Sequence, residues 1–357
     1  MICAADAGVL MRQGRSAAAV GGRLAVGSTA GGRTLRPWTF VVALLAIICA
    51  GCSGGGGSSA SIASDGNFTL TSSEAVVEST IDDFIFVDVE VNGAPARFIL
   101  DTGADAFVVS RALQRRLGLE QVDTATITTI VGSSTVDVAR IDEFRLGNVV
   151  GVDIDAAELD LGPGIDGIVG VPFFRATIVE IDYQTGLLTI RDPATFRLSE
   201  QAPSIGGSLL SAENFVLTNV SVDGQNVGAV RIDTGSSGGL RLASQAGASF
   251  VAQADETISV LSQASNGSIP GTAFVVDSLM LGDIQLEEQF VVVQDSPLEV
   301  GLLGGLVLRQ FLVVLDLGSN QVLLRQDRAI EYALLNQPNT FARHEPSLRA
   351  AAAFHLQ

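Results

Sequence analysis

Residues 84–109 read FIFVDVEVNGAPARFILDTGADAFVV, and residues 214–241 read NFVLTNVSVDGQNVGAVRIDTGSSGGLR. Each stretch runs through an alternating apolar strand, a two-residue turn (Asn92-Gly93, then Asp223-Gly224), a second apolar strand and then Asp-Thr-Gly. Asn-Gly and Asp-Gly supply the positive φ angles that match a hairpin turn to the twist of its strands. The two aspartates, Asp101 and Asp233, stand 132 positions apart. The correspondence continues downstream. Ile141-Asp142-Glu143-Phe144-Arg145-Leu146-Gly147 answers to Val276-Asp277-Ser278-Leu279-Met280-Leu281-Gly282, and Ile168-Val169-Gly170 answers to Leu302-Leu303-Gly304. IVEIDYQTGLLTIRD, ending at Asp192, answers to LVVLDLGSNQVLLRQD, ending at Asp327. The offsets stay between 131 and 135, so the body of the chain is two copies of one unit.

Working outward, each unit is made of short runs rich in Val, Ile, Leu, Phe and Thr, bounded by Gly, Asn, Asp and Ser, which is an all-β pattern. Helical periodicity is scarce. One helix is expected over Arg111 to Leu117, capped by Ser110 and ended by Gly118, and another at about Asp327 to Leu335. The expected order is a signal segment over 1–51, a Gly/Ser-rich linker and lead-in over 52–83, a first lobe over 84–192, a connection over 193–212, a second lobe over 213–327, and a helix and tail over 328–357.

Composition narrows the chemistry. The 357 residues are 47% hydrophobic and 17% charged, with 21 basic against 39 acidic groups, and every basic residue is Arg. An acidic chain of this kind is a poor partner for nucleic acid, whose phosphates call for a basic surface. The two histidines, His344 and His355, lie near the C-terminus, and Cys3, Cys49 and Cys52 lie in the first 52 positions. Between them a Ser-His-Asp triad, a Cys-His pair or a His/Cys zinc site has no residues to be built from. The folded body must work with carboxylates, hydroxyls, Arg or main chain, and neither a metal nor a cofactor is called for.

At the N-terminus an apolar run from Trp38 to Ala50 follows Arg33 and Arg36 and ends in Cys49-Ala50-Gly51-Cys52. The run is short for a membrane span, which takes about 20 residues, and fits the apolar part of an export signal. Its end resembles the cleavage motif of bacterial lipoproteins, except that Cys49 stands where Leu is usual. That resemblance implies acylation of Cys52, a lipid anchor in a membrane and a place in the cell envelope. Ser53 to Asp65 would be the flexible tether. Without residues 1–51 the chain holds 16 arginines against 38 acids, a net of −22.

The doubled motif itself, Asp101-Thr102-Gly103-Ala104 with Ile168-Val169-Gly170 and Asp233-Thr234-Gly235-Ser236 with Leu302-Leu303-Gly304, resembles the aspartic proteases of the pepsin and retropepsin superfamily. The resemblance covers Phe84 to Asp327. It implies two β-barrel-like lobes with a cleft between them, and a fused retropepsin pair would give a monomer of two pseudo-symmetric lobes. It also implies that Asp101 and Asp233 share one proton, one drawing a proton from water and the other donating to the peptide carbonyl. Thr102 and Thr234 would lock the loops together, while Gly103 and Gly235 would let backbone approach the carboxylates. Pepsin-like enzymes carry a flap tyrosine, and the first unit has no Tyr before Tyr183. Ile130-Val131-Gly132-Ser133 instead gives a small apolar flap of retropepsin type, and Gln263 to Gly271 is a candidate second one. The implied substrate is an extended peptide or protein segment, held by main-chain hydrogen bonds and chosen by apolar pockets. The alternative is a catalytically silent envelope lipoprotein binding peptides in the same cleft. Ser236 opposite Ala104 suggests that a hydroxyl favours charge on Asp233 and leaves the proton on Asp101.

Two further patterns have structural explanations. Gly162-Pro163-Gly164-Ile165-Asp166-Gly167 fits a dinucleotide-loop pattern but is not followed by the helix such a loop requires. Asp153, Asp155, Glu158 and Asp160 alternate with apolar residues as a strand does, without the spacing of a calcium loop.

Overall fold

The computed structural model describes residues 65–326, together with 40–43, 47–48 and 62. The expected lipidation site Cys52 and the expected helix from Asp327 lie outside the described residues. Among those described, no helix is long and apolar enough to cross a membrane. The fold is all-β, with two lobes built on the same plan.

In the first lobe the hairpin Ile85–Val91 and Ala94–Leu100 turns at Asn92-Gly93, where φ is positive at both residues (50° and 76°). Alternation buries Ile85, Val87, Val89 and Val91 while Asp88 and Glu90 face out. The chain then passes through Asp101-Thr102-Gly103 into the strand Phe107–Ser110 and the helix Arg111–Leu117. Ser110 Oγ caps that helix by accepting from the Leu113 N–H at 3.0 Å, and Gly118 ends it in the left-handed region at φ 62°. The hairpin Gln121–Thr129 and Ser133–Leu146 follows, and Val149–Leu159 closes back on it. Within this last strand Asp155 is buried and pairs with Arg140 at 2.6 Å.

The short strand Gly167–Val169 then threads between the strand that delivers Asp101 and the strand that leaves it. It runs parallel to Ala94–Leu100 and antiparallel to Phe107–Ser110. The second lobe repeats this: Gly301–Leu303 runs parallel to Val230–Ile232 and antiparallel to Leu240–Ala243. Its flap hairpin is Ile258–Ala264 with Gly267–Leu281, and Ile284–Gln294 closes it.

A six-stranded sheet joins the lobes, in the order Ser208–Ser211, Gln321–Arg325, Leu312–Asp316, Ile178–Asp182, Leu187–Arg191, Glu74–Ile81. Its two central strands come from different halves and pair antiparallel, with Glu180 opposite Val314. The segments flanking the first lobe contain regular structure. The lead-in to residue 83 contains the strands Asn67–Leu70 and Glu74–Ile81, the first against Val149–Leu159 and the second in the joining sheet. The 193–212 connection contains the helix Leu198–Ile205 and the strand Ser208–Ser211. Phe40–Ala43 and Ile47–Ile48, inside the segment read as a signal, run as short strands beside Ile258–Ala264 and Gln121–Thr129.

One main core runs through both lobes. Phe107 and Phe144 meet edge to face at 5.1 Å, and Phe174 of the first half meets Phe215 of the second at 5.6 Å. Each such ring contributes about 1.5–3 kcal/mol by leaving water, so this packing helps hold the two motifs face to face.

Candidate active site

Asp101 and Asp233 leave their strands on facing loops and are both fully buried. Each loop is pinned from behind by its apolar-Gly segment. Asp101 N–H donates to Val169 O at 3.0 Å and Asp233 N–H to Leu303 O at 3.0 Å. Val171 N–H donates to Ala104 O, and Gly305 N–H to Ser236 O. A Cβ on Gly170 would lie 2.2 Å from Ala106 O, and one on Gly304 would lie 2.5 Å from Gly238 O, so these loops admit only glycine there.

The threonines cross between lobes. Thr102 N–H donates to Thr234 Oγ1 at 3.0 Å and Thr234 N–H to Thr102 Oγ1 at 3.1 Å. Their hydroxyls donate onward, Thr102 to Ile232 O at 2.7 Å and Thr234 to Leu100 O at 2.8 Å. Gly103 and Gly235 donate to Oδ1 of their own aspartates at 2.7 and 3.0 Å. Each glycine also backs onto the opposite carboxyl: a Cβ at Gly103 would stand 2.5 Å from Asp233 Oδ1, and one at Gly235 2.1 Å from Asp101 Cγ.

The second oxygens, Asp101 Oδ2 and Asp233 Oδ2, are buried and meet no other donor. Burial, then the charge of Asp233, pushes Asp101 well above the usual carboxylate range, and a hydrogen bond to Asp233 favours its protonated form. Burial also raises Asp233, but Arg241 and Arg231 pull it back and the bond from Asp101 favours its charge. Of the two, Asp101 is held the further above its ordinary range.

That polarity agrees with the direction expected from Ser236, but its cause is different. Asp233 Oδ1 is taken by the Gly235 N–H and Oδ2 receives nothing from Ser236. The Ser236 hydroxyl lies beside Gly304, within 2.7 Å of where a Cβ would stand. The bias comes from two arginines that the sequence reading passed over. Arg231 is buried and reaches across the lobes, its Nε donating to Thr102 O at 3.0 Å and its Nη2 pairing with Asp105 at 2.6 Å. Burial pushes the Arg241 guanidinium down to about 10, against the pull of Asp233. The available signal was positional: Arg231 stands two residues before the second aspartate, where the first unit has Ile99.

The two hairpin tips meet each other. Thr129 Oγ1 donates to Asn266 Oδ1 at 2.6 Å, and Asn266 Nδ2 donates to Gly132 O at 3.1 Å. Val131 touches the Gly267 position, and Ile130 is buried with Ile269, Leu298 and Leu302. Ser133 starts the returning strand, its hydroxyl bonded to that of Thr128. Two hairpins therefore meet at their tips, and Tyr183 lies far along the chain in the turn after Ile178–Asp182. The first wall of the cleft is apolar, with Ile99, Val108, Ile127 and Ile168 in one cluster. The second wall, carrying Arg231 and Arg241, departs from the expected apolar pockets.

Two buried carboxyls on facing loops, too close for both to ionise easily, are suited to acid-base chemistry. No curated protein matches the chain. A family model described as aspartyl protease matches it twice, over residues 87–173 and 218–307, each match holding one Asp-Thr-Gly loop with its apolar-Gly strand. The chain thus belongs to the aspartyl protease family, whose members are peptidases, with the family unit present twice in one polypeptide.

Proposed function

We propose that this chain is an aspartic endopeptidase that hydrolyses extended peptides with water held between Asp101 and Asp233. The observation that carries this reading is the facing pair of fully buried carboxyls, each held through Oδ1 by a glycine N–H, whose Oδ2 atoms meet no other donor. Asp233 takes a proton from water as its oxygen attacks the carbonyl carbon. Asp101 delivers its proton to the carbonyl oxygen; Asp233 then passes the proton it took from water to the amide nitrogen as the C–N bond breaks, and Asp101 recovers a proton from the hydroxyl that collapses to the new carbonyl. Gly103 and Gly235 N–H groups hold Oδ1 of each aspartate in place, so neither carboxyl reorganises during the transfer. The joined tips must part to admit a peptide and then close over it, excluding water.

Activity requires one proton on the pair, so kcat should follow a bell-shaped pH profile. The test is a peptide library incubated with the purified chain and with Asp101→Asn and Asp233→Asn. Each variant should lose at least about a thousandfold in turnover, and the double variant little more, because the pair acts as a unit. A single variant retaining a tenth of wild-type turnover would overturn the shared-proton mechanism. Peptide binding without cleavage by the wild type would favour a silent binder. In the same reading the chain is exported and held at a membrane by an acyl group on Cys52; this rests on the sequence of residues 33–65, and mass spectrometry of the N-terminal peptide tests it.

A further inference from the structure

The two walls of the cleft can be compared position by position through their strand registers. In the first lobe Ile168 pairs with Ile99 on one side and Val108 on the other. In the second, Leu302 pairs with Arg231 and Arg241 in the same places. Val108 lies opposite Ala157, two residues before Leu159, and Arg241 lies opposite Val292, two residues before Gln294. Ile127 and Ser262 each stand five residues before the glycine at the flap tip, Gly132 and Gly267. Ile99, Val108, Ile127 and Leu159 are thus replaced by Arg231, Arg241, Ser262 and Gln294, all buried. Leu302 alone keeps the apolar character of its counterpart.

Arg231 is fully engaged with Thr102 and Asp105. Arg241 is not. Its neighbours Leu240 and Leu242 face the main core, so strand alternation turns Arg241 to the opposite, cleft-facing side. There its Nε and Nη2 are buried and meet no acceptor. Asp233 is near enough to act on it as a charge but accepts no bond from it. Gln294 donates to Ser262 Oγ and to Ile269 O, leaving its Oε1 without a donor. Leaving a guanidinium buried and unpartnered costs stability that a well-placed anion would recover, and its planar fork matches a carboxylate.

We infer that Arg241 is a specificity residue that receives a carboxylate of the peptide on the second-lobe side of the cleft. The inference rests on the peptidase reading of the same site and adds its substrate class: a peptide carrying Asp or Glu beside the scissile bond, or ending there in a free carboxyl group. The first-lobe side, closed by Ile99, Val108, Ile127 and Ile168, takes an apolar side chain, so the cut falls between unlike residues.

The experiment uses the purified chain and peptides differing only by Glu against Gln at each position near the cut, each with a free or an amidated C-terminus. At one position Glu should exceed Gln by about 10–100-fold in kcat/KM, the range of a charge-assisted bond. Insensitivity of that ratio to amidation assigns the carboxylate to the side chain; a preference lost on amidation assigns it to the terminus. Arg241→Met should bring the ratio near one, and Arg241→Lys should restore it only in part. No carboxylate preference in the wild type would overturn the inference, whether or not the variants fold. So would an Arg241→Met variant that shifts the pH profile but keeps the wild-type ratio. If the wild type cleaves none of the peptides, the peptidase reading fails by itself. Binding of the same labelled peptides then decides: tighter binding of the carboxylate form upholds the role of Arg241, and equal binding ends it.

Discussion

Around the catalytic loops the two halves agree closely, yet one strand position away they do not. The paired bonds of the loops differ by a few tenths of an ångström at most: 3.0 against 3.1 Å for the threonine N–H groups, 2.7 against 2.8 Å for their hydroxyls. Along the cleft walls, by contrast, isoleucine, valine and leucine face arginine, serine and glutamine. Water activation needs two loops that fit each other, and every atom of that fit constrains both copies. Recognition of a peptide, which has direction, gains from unlike walls. The same asymmetry bears on the pair, because Arg231 lowers both aspartates whereas Arg241 adds a pull on Asp233.

The symmetric part of this comparison can be broken most severely at its glycines. Gly235→Ala puts a methyl 2.1 Å from Asp101 Cγ and Gly103→Ala puts one 2.5 Å from Asp233 Oδ1. Each should cut kcat/KM by at least about 100-fold, with similar losses in the two lobes; a mild effect in one would show that its loop can yield.

A smaller, asymmetric effect is expected on stability. Both carboxyls titrate above their ordinary value when folded. Their favourable contribution is therefore complete below the unfolded value of about 3.9 and is lost as pH rises through the folded values. At pH 7 the buried pair is a net cost, which an amide relieves. Because Asp101 is raised further, Asp101→Asn should increase Tm at pH 7 by roughly 2–4 °C per kcal/mol recovered, more than Asp233→Asn. The gain should fade toward pH 3–4, and thermal melts across that range check it.

The least effect belongs to Ser236→Ala. Its hydroxyl does not reach Asp233, so the acid limb of the pH profile should move by less than about 0.3 unit, well under what a lost hydrogen bond would give. A shift near one unit would restore the hydroxyl as the source of the bias.

Much of this was legible in the chain itself. The repeat, the two Asp-Thr-Gly loops and the helix between Ser110 and Gly118 follow from local signals, because turn chemistry and caps act on adjacent residues. The helix Ser244–Gln253 escaped notice because Ala243 offers no side-chain cap. The joining sheet could not be read, since alternation marks Ile178–Asp182 as a strand without saying that Leu312–Asp316 is its partner. Ser236 misled for the reverse reason: it adjoins the catalytic loop in sequence and faces Gly304 in space. Arg241 acts on Asp233 from another strand, and Arg231, two residues before that aspartate, stands outside the Asp-Thr-Gly motif.

The six-stranded sheet has a consequence for dilution. Its central strands come one from each half, so the encounter of the two aspartate loops is intramolecular, at an effective concentration of about millimolar or more. Two separate copies would lose their site as they became scarce, whereas each molecule of this chain carries a whole one. Being joined also removes a genetic constraint that identical subunits share, namely that any change appears twice. A guanidinium at position 241 has no twin at position 108, where Val108 is buried among Ile99, Ile127 and Ile168.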